Sequence, residues 1–440
     1  MLRAFRDAFK IPELKKRILF TFAILVVYRI GGHIPTPGID GAALGEFFAE
    51  AKGTLLTYFD MFTGGALGRA TVFALGIMPY ITASIIFSLL IPTIPQLERL
   101  QKEGEVGRRK INQYTRYATV FICLIQGSGL AVWLQHLKTE TTGISVVPSP
   151  GPSFLLITVL TMTAGTIFIM WLGEQITERG IGNGISLIIF AGIVARLPQA
   201  GIQTAAQLRS GVLSPVKLAF MLALMALVIA GIVIITEGQR KIPVQYAKRI
   251  VGRRMYGGQS TFIPIRVNTP GVIPIIFASS ILMFPATIAT FTGLEFMEGI
   301  GVWLSPGHLL YSILYAILII FFCYFYTAMI FNPLDLADNM KRYGGFIPGI
   351  RPGRSTSEYI ERTLSRITLA GAVALAAIAL FPDVVNTRLG VSALLAGFYG
   401  GTGMLIVVGV ALDTVKQIEN HLLMRHYEGF IKKGKIKARF

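Results

Sequence analysis

Long apolar runs recur along the whole chain, and they constrain its fold more than any other feature. A helix needs about 20 predominantly apolar residues to cross the hydrocarbon core of a bilayer. Of the 440 residues, 53% are hydrophobic and only 15% are charged, which is unusual for a soluble globular protein. The chain is therefore predicted to be an all-α polytopic membrane protein.

The apolar runs predict ten transmembrane helices, and the basic residues provide a check on that number. Of the 41 Lys and Arg, 33 fall on inner segments and 7 on outer segments if the N-terminus lies inside. Cytoplasmic loops collect positive charge, so this imbalance supports all ten spans, including the short fifth one. The approximate spans are 18–30, 70–92, 117–134, 154–173, 185–197, 218–236, 271–293, 308–331, 367–381 and 391–413.

One stretch is apolar enough to enter a membrane but is broken near its beginning. Residues 54–61 predict a helical piece of only about two turns, and residues 70–92 predict a full span. Glycines at 64, 65 and 68 separate the two pieces, since glycine weakens a helix by about 1 kcal/mol. Free ends of a half-helix are tolerated at membrane depth only inside protein or along a water-filled cavity. The segment therefore predicts a cavity.

Ten spans can divide into two groups of five. A unit with an odd number of spans lies upside down relative to its copy, and inverted repeats commonly enclose a central pathway. No convincing residue-level repeat links the halves, so the division rests on topology alone. The predicted units are an amphipathic inner segment (1–17), a first half (18–197), an outer hinge loop (198–214), a second half (215–413) and a basic inner tail (414–440).

The sequence contains no recognisable catalytic constellation. It has no GxxxxGK[ST] nucleotide loop, no HExxH and no GxSxG, and its five histidines are scattered. Cys123 and Cys323 lie in apolar runs and form no CxxC, so we predict neither an enzyme nor a metal or other cofactor. Arg29 and Glu174 lie near span ends, where interfacial snorkelling is the ordinary interpretation. The scarcity of charge in mid-span argues against an ion-coupled transporter.

Two long basic loops face the predicted inner side. Residues 237–270 alternate Arg and Lys with Val, Ile and Tyr in short runs, which predicts a hairpin. Residues 332–366 contain GlyGly and ProGly turns that would hold Arg351 and Arg354 on a rigid tip. Positive charge attracts anionic lipid, but ordered loops of this length exceed usual connections. They favour a docking surface for a large cytosolic partner that is acidic or bears RNA.

Several blocks together resemble one family. In chain order they include LGIMPYITASII, EGEVGRRKINQYTRY, MWLGEQITERGIGNGISLIIFAGIVA, VNTPGVIPIIFASSI, FFCYFYTA and FIPGIRPGR. The chain resembles the SecY/Sec61-alpha family, whose bacterial members form the channel subunit of the Sec protein translocase. The resemblance implies ten helices in two pseudo-symmetric inverted halves around a central hourglass pore. It also implies an apolar ring at the waist, a plug made from a half-helix, and a seam that opens sideways to lipid.

The resemblance also implies which residues line and block the pore. A ring of branched apolar side chains would fit around a crossing chain and resist ions when closed. The implied pore ring is Ile77, Ile81, Ile185, Ile189, Ile276 and Ile406. The implied plug spans about 55–67 and includes Leu55, Tyr58, Phe59, Met61, Phe62, Gly64 and Gly65.

The sideways seam and the docking surface are implied in the same way. Four polar side chains match the lateral gate: Thr82, Gln126, Ser279 and Ser280. Interhelical hydrogen bonds, worth about 0.6 kcal/mol on average, would suit a gate that must open. Six basic residues match the surface that docks the SecA motor or the ribosome: Arg240, Lys248, Arg253, Arg254, Arg351 and Arg354.

The predicted function is a protein-conducting channel in the bacterial cytoplasmic membrane, with both termini in the cytosol. It would pass unfolded secretory polypeptides across the membrane and release membrane segments sideways. The implied partners are the small subunits SecE and SecG, the SecA ATPase, the translating ribosome, signal sequences, unfolded preproteins and anionic lipids. One alternative is a secondary transporter of a small solute, which a buried carboxylate or a polar midplane site would favour. Another is an intramembrane enzyme, which would need a nucleophile or a metal pair facing a cavity. The sequence offers clear evidence for neither.

Overall fold

The computed structural model describes residues 9, 11–50, 60, 62–137, 145–246, 249–251, 254–256, 260–292, 303, 308–389 and 401–433. These residues are predominantly helical, which confirms the all-α prediction. The first-half helices are α1 Pro12–Gly31, α2 Gly41–Glu50, α3 Met78–Leu90, α4 Pro95–Lys102, α5 Glu105–His136, α6 Pro152–Arg179, α7 Gly184–Val194 and α8 Leu197–Arg209. The later helices are α9 Pro215–Glu237, α10 Ile273–Thr292, α11 Leu309–Ile330, α12 Pro333–Arg342, α13 Arg354–Leu389 and α14 Thr402–Lys433.

The described helices account for several membrane spans by length and composition. Six helices in the described part of the chain are long and apolar enough to cross a bilayer, and a seventh crossing follows if α3 and α4 form one bent span. The angle between α3 and α4 is 97°. A described helix overlaps each of the ten predicted spans. The count of ten crossings itself stays a prediction.

The second predicted span is shorter than expected. We predicted a helix over 70–92, but α3 begins only at Met78 and the residues before it form turns. Ala70 and Gly76 have φ angles of 43° and 59°, which cannot continue a right-handed helix. The turns are tied to the chain that follows α1, because Thr36 N donates to Ala70 O at 2.8 Å. The break in this segment therefore extends to the first turn of α3.

The helices of the two halves meet along two lines. On one side α10 packs against α3 and α5, and on the other α14 packs against α7. Within the first half, α5 packs against α3 and α6, and α6 packs against α7. Within the second half, α11 packs against α10 and α13. One large apolar core runs through both halves, so they are joined by packing as well as by the chain.

The two long basic loops share a small sheet. Strand β1 (Gln239–Tyr246) pairs antiparallel with β4 (Ser260–Arg266), which confirms the predicted hairpin. Between them lie the short paired strands β2 (Arg249–Val251) and β3 (Arg254–Tyr256). The other edge of β1 pairs with β5 (Gly345–Phe346), which belongs to the second loop.

A separate apolar core lies beneath this sheet. Its buried side chains come from both loops and from the start of α13: Ile242, Val244, Ile265, Met340, Ile347, Ile360 and Leu364. The two loops therefore form one folded body, called here the sheet unit. It comprises strands β1, β4 and β5, helix α12 and residues 354–364 of α13.

Candidate functional site

The six isoleucines of the predicted ring come from four separate segments. Five of them are buried in the large core that joins the halves, and Ile185 is half-buried and packs against the same core. Ile77 and Ile81 lie one turn apart at the start of α3, and Ile81 N donates to Ile77 O at 3.1 Å. The others lie on α7, α10 and α14. Helix α14 contacts both α7 and α10, and α10 contacts α3, so these segments close around one apolar region.

The turn before α7 sets where Ile185 and Ile189 lie. The side chain of Asn183 caps the first turn of α7. A Cβ on Gly184 would lie 1.9 Å from the carbonyl oxygen of Gly173, so only glycine allows α7 to start this close to α6. The glycine-rich turn noted in the sequence thus fixes the position of the helix that carries both isoleucines.

The predicted plug is only partly within the described residues. Leu55, Tyr58, Phe59 and Met61 lie outside them, whereas Phe62, Gly64 and Gly65 are described and buried. Gly64 and Gly65 have φ angles of 70° and 86°, which favour glycine. A Cβ on Gly64 would lie 2.9 Å from Cα of Gly192 in α7. The described end of the predicted plug therefore rests directly on the helix that carries Ile185 and Ile189.

The predicted gate residues are buried where α10 meets α3 and α5, but three of them bond within their own helices. Thr82 Oγ1 donates to Met78 O at 3.1 Å, and Ser279 Oγ and Ser280 Oγ donate to Ile276 O at 2.9 and 2.7 Å. Thr82 and Ser279 therefore bond only within their own helices in the described part of the chain, whereas Ser280 Oγ also reaches Met78 Sδ of α3. Hydroxyls in helices commonly bond a carbonyl three or four residues earlier, because that acceptor is always within reach.

Gln126, the fourth predicted gate residue, lies on α5. Its side-chain oxygen is buried, and no donor in the described part of the chain reaches it. An amide oxygen without a partner inside protein is energetically costly. The buried, unpaired oxygen of Gln126 therefore destabilises the packing around α5.

Polar contacts also join α10 and α11 to α3, and the contact between Tyr326 and Ser88 was not predicted. Tyr326 OH of α11 donates to Ser88 Oγ of α3 at 3.4 Å, and Ser280 Oγ lies 4.0 Å from Met78 Sδ. The ring of Tyr326 also packs edge-on against Phe277 of α10, with 5.2 Å between centroids. Both polar contacts are long for hydrogen bonds, so apolar packing provides most of the contact between these helices.

The six predicted docking residues are described to different extents. Lys248 and Arg253 lie outside the described residues, and Arg254 lies in β3. Arg240 on β1 and Arg351 and Arg354 on the second loop are exposed. Because β1 and β5 pair, the structure brings arginines from both loops onto one sheet unit.

The tip that carries Arg351 is held by backbone contacts. Thr356 is buried, and its Oγ1 donates to Arg351 O at 2.8 Å. Ser357 N donates to Gly353 O at 3.1 Å, and Gly353 has a φ angle of 105°. Arg354 Nε lies 3.2 Å from Glu358 Oε1, one turn along α13. The carbonyl of Arg351 is therefore fixed while its guanidinium stays exposed.

The family model named SecY matches residues 71–415 of the chain. The Protein translocase subunit SecY of Aquifex aeolicus (strain VF5) is 47% identical over 97% of this chain and 98% of the relative. The Protein translocase subunit SecY of Escherichia coli (strain K12) is 48% identical over 97% of this chain and 96% of the relative. The chain belongs to the SecY family.

Solved structures agree with this family at the level of fold. One, described as "The structure of a protein conducting channel", matches with a TM-score of 0.66 at 19% identity, covering 98% of this chain and 99% of that one. Another, Sec61 in the canine ribosome-channel complex from the endoplasmic reticulum, matches with a TM-score of 0.61 at 18% identity and the same coverage. The resemblance drawn from the sequence blocks is confirmed.

In this SecY-family chain, sequence reasoning missed a buried ion pair between the predicted plug and the residue that precedes α8. Asp60 and Arg196 form a salt bridge, with side chains only 5% and 13% exposed. Arg29, interpreted from the sequence as interfacial, donates from its guanidinium to Gly64 O at 3.2 Å. The available signal was that Asp60 is the one acidic residue between Glu50 and Glu98.

Glu174, the other residue interpreted as interfacial, also has a specific partner. Its two carboxylate oxygens accept hydrogen bonds from Arg116 Nε and a terminal nitrogen of Arg116, both at 2.8 Å. This fork-to-fork pair joins α5 to α6. The charged residues Arg116 and Glu174, near the ends of the predicted spans, therefore link two neighbouring helices.

A polar cavity of about 280 Å³ lies within roughly one helical turn of three predicted ring residues. Its lining comes from the start of α7, the end of β4, the turn before α10 with the first residue of that helix, and the middle of α14. The polar side chains on it are Asn183, Ser186, Arg266, Asp413, Thr414, Lys416, Gln417 and Asn420. Within the described residues, no group of three or more His, Cys, Asp or Glu is placed to hold a metal.

Proposed function

We propose that this SecY-family chain is the protein-conducting subunit of a membrane translocase. It passes unfolded secretory polypeptides across the membrane and releases apolar segments sideways into it. The observation that carries the proposal is the meeting of apolar segments from α3, α7, α10 and α14 beside a polar cavity. Relatives that match almost the whole chain at 47% and 48% identity are named translocase subunits.

The proposed seal combines the isoleucine ring with the plug. Isoleucine side chains are branched and apolar, so they exclude water and ions where they meet. The cavity beside them supplies polar contacts that an unfolded chain can exchange as it moves. The plug, proposed for about residues 55–67, would block the other side, and its described end already rests on α7.

The proposed gate lies between α3 and α5 on one side and α10 and α11 on the other. Thr82, Ser279 and Ser280 keep their intrahelical hydrogen bonds when these helices separate, so opening mainly exposes apolar surface. A signal sequence could cover that surface with its own apolar face. The gate can therefore open at low cost when a suitable apolar helix is present.

The proposed partners follow from the sheet unit and from the family. Its exposed arginines suit an acidic protein or RNA, and we assign them to the SecA motor and the translating ribosome. SecE and SecG small subunits, signal sequences, unfolded preproteins and anionic lipids complete the proposed set. We place the chain in the bacterial cytoplasmic membrane with both termini in the cytosol and retain the five units from 1–17 to 414–440.

Reconstitution tests the proposed function directly. The chain, purified with its small subunits, is placed in vesicles, and SecA, ATP and a preprotein are added outside. Protease-protected preprotein is expected to accumulate only with ATP and only when the signal sequence is present. A preprotein without its signal sequence is the control. ATP-independent uptake of a small solute, with no protected preprotein, would instead support a secondary transporter.

Gln126→Leu is expected to favour the closed gate. The substitution removes a buried oxygen that lacks a partner, which should stabilise the closed seam by about 1 kcal/mol. Export of preproteins with weak signal sequences should then fall roughly fivefold. Crosslinking between α5 and α10 should rise. The exposed Gln113 on the same helix gives the control variant Gln113→Leu, and unchanged export together with unchanged crosslinking would contradict the gate assignment.

A further inference from the structure

The buried ion pair lies at the end of the helix that carries two predicted ring residues. Ile185 and Ile189 are on α7, and Arg196 follows α7 by two residues. From Ile189 to Arg196 the chain covers about two turns, or about 10 Å. A motion of α7 as a rigid element therefore moves the isoleucines and the guanidinium together.

The other partner, Asp60, organises the turn that ends the predicted plug, called here the Asp60 turn (residues 60 and 62–68). Its carboxylate accepts from Gly68 N at 2.8 Å while also binding Arg196. Its carbonyl oxygen accepts from Gly65 N at 2.9 Å and from Thr63 Oγ1 at 3.0 Å. The carboxylate that binds Arg196 is therefore also held in place by the backbone of the turn.

The Asp60 turn also lies flush against neighbouring helices. A Cβ on Gly192 would come within 3.2 Å of Phe62 O, and one on Gly64 within 2.9 Å of Gly192 Cα. Arg29 of α1 binds Gly64 O from another direction. The turn can keep this position only while α7 stays where it is.

We propose that the Asp60–Arg196 pair couples the width of the pore to the seating of the plug. Outward movement of α7, which takes Ile185 and Ile189 out of the closed ring, also draws Arg196 away from Asp60 and frees the Asp60 turn. Seating of the turn in return holds α7 in the closed position. This coupling rests on the proposed function, because it uses the ring and plug assigned there.

The electrostatics of the pair suit a two-state element. Removing one partner leaves an uncompensated charge in a buried site, which strongly disfavours the seated state. One terminal nitrogen of Arg196 is buried and has no partner in the described part of the chain. Release of the pair lets water reach both charges, so hydration offsets part of the lost attraction. The free-energy difference between the seated and released states is therefore smaller than the direct attraction between the two charges.

Ion leak through the idle channel measures the coupling. Asp60→Asn and Arg196→Gln are each expected to raise the conductance of reconstituted channels at least about tenfold, because each leaves one buried charge unpaired. The double variant Asp60→Asn/Arg196→Gln should leak no more than either single variant, since the two residues act as one unit. Arg209→Gln, an exposed arginine at the end of α8, is the control and should leave the channel tight.

A second variant tests the same coupling without changing a charge. Gly64→Ala places a methyl group against Gly192 and forces a left-handed residue to carry a Cβ. It should raise the leak even though the ion pair is chemically intact. Thermal unfolding in detergent identifies any charge variant that fails to fold, and the leak of Gly64→Ala then decides the test.

The outcomes separate the coupling from the proposed function. The coupling would be overturned if the single variants do not leak, or if the leak of the double variant equals the sum of the leaks of the two single variants. The channel assignment would still stand in either case, provided that the unmodified chain translocates preproteins normally. Failure of the unmodified chain to translocate any preprotein would instead overturn the proposed function. A leak that rises in both single variants and in Gly64→Ala, without a further rise in the double variant, supports the coupling.

Discussion

Arg351→Glu is expected to abolish SecA-driven export while the protein remains in the membrane at its normal level. The guanidinium is exposed, and the backbone beneath it is fixed by Thr356, so the fold does not depend on this side chain. Exposed substitutions of this kind usually change stability by less than about 0.5 kcal/mol. At a docking surface for an acidic partner, however, reversing a charge places like charges together at a cost of several kcal/mol. Affinity for the motor should fall at least about a hundredfold.

The measurement is ATP-dependent translocation of a preprotein into vesicles, together with motor binding at two salt concentrations. Arg108→Glu is the matched control, because Arg108 is exposed near the start of α5 and lies outside the sheet unit. The control should retain export. Normal translocation by Arg351→Glu would show that the tip of the second loop is not the docking surface.

The sheet unit shows what the sequence could and could not predict. Alternating residues in 237–270 predicted the hairpin, and GlyGly and ProGly turns predicted a rigid tip, because both signals are local. The pairing of β1 with the two-residue strand β5 was not predicted. A pair of residues has no periodicity to detect, and its partner lies about a hundred positions earlier in the chain.

The gate shows a different limit. The family resemblance pointed to Thr82, Gln126, Ser279 and Ser280 as polar gate residues in apolar helices, but it could not predict their hydrogen-bond acceptors. A hydroxyl in a helix has a carbonyl oxygen of its own helix within reach. Thr82, Ser279 and Ser280 all donate to such a carbonyl. The contact between Tyr326 and Ser88 depends on how two helices approach each other, which only the packed structure determines.

Periodicity alone did not distinguish the six isoleucines from other apolar residues. Four-residue spacing occurs throughout membrane helices, and the family resemblance supplied the choice. The structure then brings them to one core, with Ile185 less buried than the others. Asp60 was recoverable in principle, because a single carboxylate in a long apolar stretch needs a partner. Nothing local pointed to Arg196, which lies 136 residues away.

Gly165→Val is expected to prevent stable accumulation of the protein. A Cβ at Gly165 in α6 would lie 2.0 Å from the carbonyl oxygen of Val72 and 2.9 Å from its carbonyl carbon. Both atoms belong to the backbone, so no side-chain rotation can relieve the overlap. Helix α6 would have to move away from the turns that precede α3. Overpacking of this kind typically costs about 1–3 kcal/mol, and contact with backbone places the cost at or above about 3 kcal/mol.

The measurement is the thermal unfolding midpoint in detergent together with the amount of protein in the membrane. Gly201→Val is the matched control, because a Cβ at Gly201 in α8 meets nothing within 4 Å. The same turns lead into Ile77, so any Gly165→Val protein that does fold should also leak ions through a displaced ring. An unfolding midpoint equal to that of the unsubstituted chain would mean that α6 and the turns before α3 are not in close contact. In that case Ile77 would have to be held in place by the packing of α3 against α5 and α10.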